Sequence, residues 1–248
     1  MAGHSHWARI KRAKAVTDAR RGRHWSKLSR AIIMAARSGG GDPDGNLALR
    51  YAIDAAKDAN MPRDTIARAI KKGTGELGAE QYEELIYEGY GPGGAAVMAS
   101  ILTDNRTRTA AEVRKIFETH GGNLGASNCV AWMFHKRGVF SVPATADEDA
   151  LTGIALECGA EDVRRIGEAF ELTCESSAFE TVRKALADAK ITPESAEITM
   201  LPSSNVALEG EQAERMLGLV DALEEHDDVQ TVYSNADISD AEMARLAK

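Results

Sequence analysis

With 248 residues, 44% hydrophobic and 27% charged, the chain has the length and composition of a globular protein of one to three domains. It has no run of 18 apolar residues, so we expect no membrane-spanning helix. Its net charge is −8, yet residues 1–75 hold 16 Lys and Arg against 6 Asp and Glu and carry +10, which leaves −18 for the remainder. This split predicts a basic segment that binds a polyanion, joined to an acidic body with another role.

Three further features of the composition narrow the class of protein. Aromatic residues make up only 5% of the chain, which argues against a sheet surface that stacks single-stranded bases. Cys129, Cys158 and Cys174 are far apart and show no CxxC spacing, so we expect reduced thiols and no metal site. The charged start lacks the apolar segment of a secretory signal. We therefore expect a cytoplasmic protein without a metal or another cofactor.

The stretch from Asp18 to Arg37 has the period of a helix with two contrasting faces. At 100° per residue Trp25, Leu28 and Ile32 fall on one side, and cations fall on the other along about 25 Å. Residues 1–37 hold ten basic residues and one acid, a surface that would repel itself without a polyanion. We predict that the following residues contact nucleic acid: Arg9, Lys11, Arg12, Lys14, Arg20, Arg21, Arg23, Lys27, Arg30, Arg37, Arg68, Lys71 and Lys72.

Breaker residues divide the rest of the basic segment into two shorter helices. The glycine-rich stretch at 39–45 predicts a helix end and a turn. Asn46 is a candidate N-cap for a second helix, and Pro62 suits the first turn of a third. A second glycine-rich stretch at 73–78 coincides with the change in the sign of the charge. We therefore predict a basic, helical, nucleic-acid-binding domain at residues 1–78.

Beyond residue 82 the pattern changes to alternating strands and helices. Strands are predicted near residues 85–90, 95–102, 130–134, 139–142, 163–166, 170–174, 197–201 and 229–233. The order of strands and helices predicts an α+β fold in which two ferredoxin-like α/β lobes follow the helical domain. We assign residues 79–142 and 205–248 to one lobe and residues 143–204 to the other, which is inserted between the two halves of the first.

A polar loop after the strand at 95–102 holds Asn105, Arg106 and Arg108. Its two arginines could contact phosphate or a partner, or Asp104 and Asn105 could cap the local backbone in a structural turn. The residues leave both interpretations open. The chain contains no Gly-Lys-Ser/Thr phosphate loop, no GxSxG and no HExxH. We therefore predict a protein that is not an enzyme and has no small-molecule substrate.

Ordered motifs along the whole chain resemble the YebC family. They include AGHSHWARIKRAKAVTDARRG at the start, YEGYGPGG, LTDNRTRT and EVRKIFETHGGNLG in the middle, and DDVQTVYSN near the end. The resemblance implies three domains, a basic helical one and two α/β ones with a cleft between them, and a non-enzymatic role in gene expression. It implies that members are transcriptional regulators that bind DNA. It also implies that mitochondrial relatives are translational activators, and that bacterial members act on the ribosome, where they relieve stalled peptide synthesis.

The target of the basic helices stays open between DNA and ribosomal RNA. The chain shows no coiled-coil heptad for the dimer that reads spaced half-sites, and its basic faces lack the Asn and Gln that read adenine. These absences favour RNA or sequence-independent phosphate contact, whereas the role implied by the resemblance favours DNA. We carry transcriptional regulation on DNA as the first hypothesis and a ribosome-associated translation factor as the alternative.

Overall fold

The computed structural model describes the backbone of residues 18–77 and 82–246, with side chains from residue 24 onward except that of residue 240. These residues form two compact units. One unit comprises the described residues up to Cys129 together with Gly210–Val232, and the other comprises Val130–Glu209 together with residues 233–246. In the described ranges no helix has both the length and the apolar composition needed to cross a membrane.

The structure is a mixed α+β fold with antiparallel four-stranded sheets, as predicted. In chain order the elements are α1 Asp18–Gly39, α2 Leu47–Asp58, α3 Arg63–Gly73, β1 Glu83–Tyr90, β2 Ala96–Thr103, α4 Arg106–Thr119, β3 Asn123–Leu124, β4 Phe134–Pro143, α5 Glu148–Cys158, β5 Ala160–Ile166, β6 Ala169–Glu175, α6 Phe179–Asp188, β7 Ser195–Pro202, β8 Val206–Ala207, α7 Gly210–Glu225, β9 Val229–Ser234, β10 Ala236–Asp237 and α8 Asp240–Leu246.

Helices α1 to α3 form a bundle with its own hydrophobic core. The predicted apolar face of α1 points inward, since Ile32 is fully buried and Trp25 and Leu28 pack against the same core. The indole N–H of Trp25 donates a hydrogen bond of 3.0 Å to the carbonyl oxygen of Ala59. The buried members of the core are Ile32, Ile33, Ala35, Ala36, Leu49, Ile53, Ala56, Met61, Ile66 and Ala69. The two-faced helix predicted from the sequence is confirmed, so the polar face of α1 is the one available for contacts outside the bundle.

Asn46 joins α1 to α2. Its Oδ1 accepts a hydrogen bond of 3.1 Å from the Leu49 N–H, which confirms it as the N-cap of α2. Its Nδ2 donates to the carbonyl oxygens of Ala35 and Gly40, at 2.7 and 2.9 Å. One buried amide therefore satisfies orphan groups at the end of one helix and at the start of the next.

The first sheet has the strand order β3-β1-β2-β9 and contains the apolar run predicted for a central strand. Strands β1 and β2 pair antiparallel, with Leu85 opposite Ile101. Every residue of β2 except Ser100 is buried. Strand β9 lies beside β2, and the backbone N–H of Leu102 donates to the carbonyl oxygen of Asp228 at 2.8 Å. The chain therefore returns to this sheet after it has formed the second one.

The second sheet has the strand order β5-β6-β4-β7, and its elements follow the sequence β-α-β-β-α-β of a ferredoxin-like unit. The two strands predicted at 130–134 and 139–142 are wrong in detail, because one ten-residue strand, β4, spans Phe134–Pro143 and residues 131–133 form a 3₁₀ turn. The prediction left the polar stretch at 135–137 between two strands. It lies inside the central strand β4, where Arg137 pairs with Glu175 on the adjacent strand β6 and with Glu161 on β5, the strand beyond it.

The pairing of β4 bears on the division into lobes. Strand β4 pairs with β6 and β7, which lie in the inserted segment. The division into 79–142 plus 205–248 and 143–204 stays a prediction. We now propose that the inserted lobe begins before β4, near Val130, because a central strand cannot be separated from the sheet that it completes.

The substitution Gly73→Ala tests the close packing of α3 on α1. A Cβ at position 73 would lie 2.5 Å from the Ile33 carbonyl oxygen and 2.6 Å from the Ala36 Cβ, so we expect a loss of about 1–3 kcal/mol in the free energy of unfolding. Gly153→Ala in α5 is the matched control, because a Cβ there meets no atom within 4 Å and should stabilise the helix by about 0.5–1 kcal/mol. Urea unfolding measures both, and equal stabilities would contradict the packing.

Candidate nucleic-acid interface

The cations predicted near the start of the chain divide into two groups. Arg9, Lys11, Arg12 and Lys14 lie outside the described residues. The backbone of α1 includes positions 20, 21 and 23, while the side chains of Arg20, Arg21 and Arg23 are also outside the described set. For these seven residues the nucleic-acid contact stays a prediction.

Three of the predicted cations are exposed on the helical bundle. Arg37 lies in the last turn of α1, and Arg68 and Lys71 lie three residues apart on the outer side of α3. The C-terminal ends of these two helices lie together, because Gly73 packs against α1. Lys72 differs from the other three in being half-buried and engaged in contacts of its own. The fold thus brings Arg37, Arg68 and Lys71 onto adjacent helices as accessible positive charge.

Lys27 and Arg30 contact the α/β lobe within the same unit. The Lys27 ammonium donates to the carbonyl oxygen of Glu224, in the last turn of α7. Nη1 of Arg30 lies 2.6 Å from the Asp227 carbonyl oxygen and 3.1 Å from Oδ1 of Asp228. The carbonyls at a helix C-terminus lack intrahelical partners and carry the negative end of its dipole. Both cations therefore have acceptors of suitable charge within the protein.

Asp228 is the centre of a polar cluster at the start of β9, formed with Arg30, Thr103, Arg108 and Thr109, which we call the Asp228 cluster. Oδ2 of Asp228 accepts hydrogen bonds of 2.7 Å from Nη2 of Arg108, 2.7 Å from the Thr109 hydroxyl and 3.1 Å from the Thr103 hydroxyl. The Asp228 side chain is only 5% exposed. A carboxylate this buried requires such partners, because an unpaired buried charge is strongly destabilising.

The protonation of Asp228 reflects these contacts. Burial by itself would raise the pKa of Asp228, but the hydrogen bonds from Arg108, Thr109 and Thr103 and the charge of Arg108 outweigh it, so the pKa is below its usual value. The ionised form is therefore the one that the fold stabilises. This ionised carboxylate holds α1, the end of β2 and the first turn of α4 together.

The predicted contact residues of the 103–109 loop have structural partners. Asn105 is the N-cap of α4, and its Oδ1 accepts from the Arg108 N–H at 3.1 Å. Arg108 also pairs with Asp104 at 3.0 Å. Arg106 is exposed, and its carbonyl oxygen accepts a hydrogen bond from the hydroxyl of Tyr87. Capping and ion pairing thus account for Asn105 and Arg108, while contact with phosphate or a partner stays a prediction for all three.

The sequence did not identify Asp228, Thr103 or Thr109 as members of one site. Asp228 follows α7 in the motif DDVQTVYSN, whereas both threonines belong to LTDNRTRT, and the two motifs meet only in the fold. An acidic residue in one motif and hydroxyl residues in another do not indicate, in the sequence, that the two motifs meet in the fold. The only available signal was that both motifs stood out in the resemblance.

An open hollow next to the Asp228 cluster is strongly acidic. It is lined by Arg30, Tyr82, Asp104, Arg108, Glu112, Glu225, His226, Asp227 and Asp228. Five carboxylates therefore face two guanidinium groups. Nε2 of His226 lies 2.9 Å from Oε2 of Glu112. Within the described part of the chain, no group of three or more His, Cys, Asp and Glu side chains is arranged to bind a metal ion.

Comparison with known proteins gives the family. A family model described as the TACO1/YebC protein N-terminal domain matches residues 5–76, and one described as the TACO1/YebC second and third domain matches residues 82–236. A relative from Pelotomaculum thermopropionicum is 54% identical over 97% of this chain and all of its own length, and one from Geotalea uraniireducens is 52% identical over 99% and 100%. Both bear the name "Probable transcriptional regulatory protein".

A solved structure agrees with this result. The crystal structure of a conserved hypothetical protein from Aquifex aeolicus is 49% identical, superposes with a TM-score of 0.83, and covers 95% of this chain and 98% of its own. By its fold and charge the chain is a multidomain α+β protein that begins with a basic helical bundle. It belongs to the TACO1/YebC family, as the resemblance implied.

Asp228→Asn should destabilise the protein at neutral pH. We expect a loss of about 2 kcal/mol, less than for a fully buried pair because Arg108 is half exposed. Since the pKa of Asp228 is lower in the folded chain, this contribution is present above the unfolded pKa of about 4 and is lost as the pH falls through the folded value. Urea unfolding of both proteins at several pH values should therefore show a stability difference that shrinks in acid.

Asp227→Asn is the matched control for this series, because it removes an exposed carboxylate from the adjacent position. Its effect should be within about 0.5 kcal/mol at every pH. A pH-independent difference between Asp228→Asn and the wild type would contradict the ionised Asp228 cluster.

Proposed function

We propose that this protein is a non-enzymatic, nucleic-acid-binding regulator of gene expression that works in the cytoplasm, with DNA and the control of transcription as its first target. The observation that supports the proposal is the uneven distribution of charge along the chain. Residues 1–75 carry +10 and the rest carries −18, and Arg37, Arg68 and Lys71 stand exposed on the bundle formed by the basic part. The names of the relatives from Pelotomaculum thermopropionicum and Geotalea uraniireducens support the transcriptional role.

The physical basis is contact with phosphate. Arg and Lys side chains that neutralise phosphates release condensed counterions, which makes binding strong at low salt and steeply dependent on salt. The bundle keeps its core separate from its polar faces, so the cations can be presented without exposing apolar surface. This arrangement needs neither a cofactor nor a reacting group.

A second candidate is a ribosome-associated translation factor that uses the same cations on ribosomal RNA and relieves stalled peptide synthesis. One observation favours it: none of the helices α1 to α3 contains an Asn or a Gln. Side chains of this kind read adenine in the major groove, so their absence removes one route to base readout and leaves the arginines, which suit phosphates as well as guanine. Ribosomal RNA offers phosphates at fixed positions, so recognition there needs no base readout.

Reversing three exposed charges tests the interface. The triple variant Arg37→Glu, Arg68→Glu, Lys71→Glu should bind duplex DNA or structured RNA at least about tenfold more weakly at about 0.1 M salt, with a smaller slope of log K against log salt. Lys27 and Arg30 are left unchanged because their short contacts with the lobe would mix binding with folding, whereas Arg37 has a long hydrogen bond of 3.5 Å to the Tyr82 carbonyl oxygen. Fluorescence anisotropy titrations at several salt concentrations measure both quantities.

The control reverses the same number of exposed cations elsewhere, in Arg114→Glu, Lys115→Glu, Lys184→Glu. Because its net charge matches that of the test variant, it separates a local contact from a general electrostatic effect. Equal losses in the two variants would refute an interface on the helical bundle.

Crosslinking and sequencing of the nucleic acid bound in cells, with ribosome co-sedimentation alongside, separates the two candidate functions. Enrichment of promoter DNA without ribosomal RNA would exclude the translation role. Enrichment of ribosomal RNA with co-sedimentation, and without promoter DNA, would exclude the transcription role.

A further inference from the structure

Two cations predicted to contact nucleic acid are occupied by the protein itself. Lys27 and Arg30 lie three residues apart on α1, so they project from one side of the helix. Both reach the segment 224–228, where their terminal nitrogens contact two main-chain carbonyl oxygens and the carboxylate of Asp228. The guanidinium of Arg30 also lies over the ring of Tyr82, 5.7 Å from its centroid. In this arrangement neither charge is free to meet a phosphate.

The surroundings of Arg30 also repel phosphate. The hollow beside it carries the carboxylates of Asp104, Glu112, Glu225 and Asp227 in addition to Asp228. A nucleic-acid backbone that approached Arg30 here would meet more negative than positive charge. Contact between phosphate and this part of α1 therefore requires that α1 leave the lobe.

The helical bundle is suited to such a movement. Among the described residues, its hydrophobic core is formed by residues between Ile32 and Ala69, with partly buried neighbours from Trp25 onward, and it contains no residue of the lobe. Separating the bundle from the lobe leaves this core intact and breaks polar contacts that water can replace. The Asp228 carboxylate keeps Arg108, Thr103 and Thr109 after Arg30 departs. The part of the lobe around Asp228 therefore keeps these hydrogen bonds when the bundle is separated from it.

We propose that the contacts of Lys27 with the Glu224 carbonyl and of Arg30 with Asp227 and Asp228, together termed the latch, are autoinhibitory. The latch holds two cations of the nucleic-acid-binding face against an acidic part of the same chain. Phosphates compete for them, so opening the latch adds both cations to the interface and strengthens binding. This inference rests on the proposed function, since it concerns regulation of the same basic surface.

The first test compares binding by two variants that remove the same charge. Asp228→Asn weakens the lobe side of the latch and leaves every cation of α1 in place. Asp227→Asn removes the adjacent, exposed carboxylate but keeps the carbonyl that Arg30 contacts. Titration of each with a DNA duplex of about 20 base pairs and an RNA hairpin of similar length, at about 0.1 M salt, gives the affinities.

The latch predicts that Asp228→Asn binds at least about fivefold more tightly than the wild type, a typical size for coupling between two states. Asp227→Asn should change the affinity by no more than about twofold, as expected for an exposed charge. Equal affinities for the two variants, or weaker binding by Asp228→Asn, would overturn the latch. Absence of binding to either probe by every protein, the wild type included, would overturn the proposed function instead.

A second measurement uses a labelled chain whose latch residues are unchanged, so its main comparison does not depend on how well a latch variant folds. Spin labels on noncanonical residues replace exposed Ser38, at the end of α1, and exposed Lys115, on α4. The distance between the labels should lengthen when the DNA or RNA probe is added, and it should already be longer in Asp228→Asn without a probe. A distance that does not change when the probe is bound would show that the latch stays closed during binding and would refute the proposal.

Discussion

The buried carboxylate of Asp228 is the interaction on which the arrangement of the larger unit depends. Its oxygens accept hydrogen bonds from α1, from the end of β2 and from the first turn of α4, and its own carbonyl accepts the Leu102 N–H that begins the pairing of β9 with β2. A charge with 5% exposure is tolerated because four donors surround it. The pairing of β9 with β2 and the contact of the helical bundle with the lobe thus both involve Asp228.

The segment 224–228 of the lobe separates the basic side chains into two kinds. Arg37, Arg68 and Lys71 are exposed, and Arg37 makes a long hydrogen bond of 3.5 Å to the Tyr82 carbonyl oxygen. Lys27 and Arg30, in contrast, are held by acceptors of the lobe. All five were equivalent in the helical pattern, because periodicity assigns a side chain to a face and cannot tell what that face meets. The difference arises from charge placed more than a hundred residues later in the chain, and it turns a uniform basic stripe into a surface with a free part and an occupied part.

The sequence predicted what is local and missed what is distant. The two faces of α1, the Asn46 cap and the buried run of β2 follow from patterns within a few residues, and all three are present. The polar stretch at 135–137 was interpreted as a break between two strands, because its partners Glu161 and Glu175 come from other strands. The Asp228 cluster was not predicted for the same reason, because its members are distant in the sequence. Thr103, Arg108 and Thr109 resemble ordinary loop residues until the fold brings Asp228 to them.

The acidic remainder of the chain has a physical consequence for any polyanion. Residues beyond 75 carry −18, so their field repels nucleic acid and leaves the basic bundle as the favoured direction of approach. The helices of the bundle offer cations but no Asn or Gln, so they lack the side chains that read adenine, while their arginines suit phosphates and guanine alike. In the function that we propose, the spacing of phosphates, and hence the shape of the nucleic acid, is a further means of discrimination. In the proposed latch, Lys27 and Arg30 become available only when phosphates replace their contacts with the lobe. Only a target whose phosphates have the right separation replaces both contacts, so the latch would select targets by that spacing.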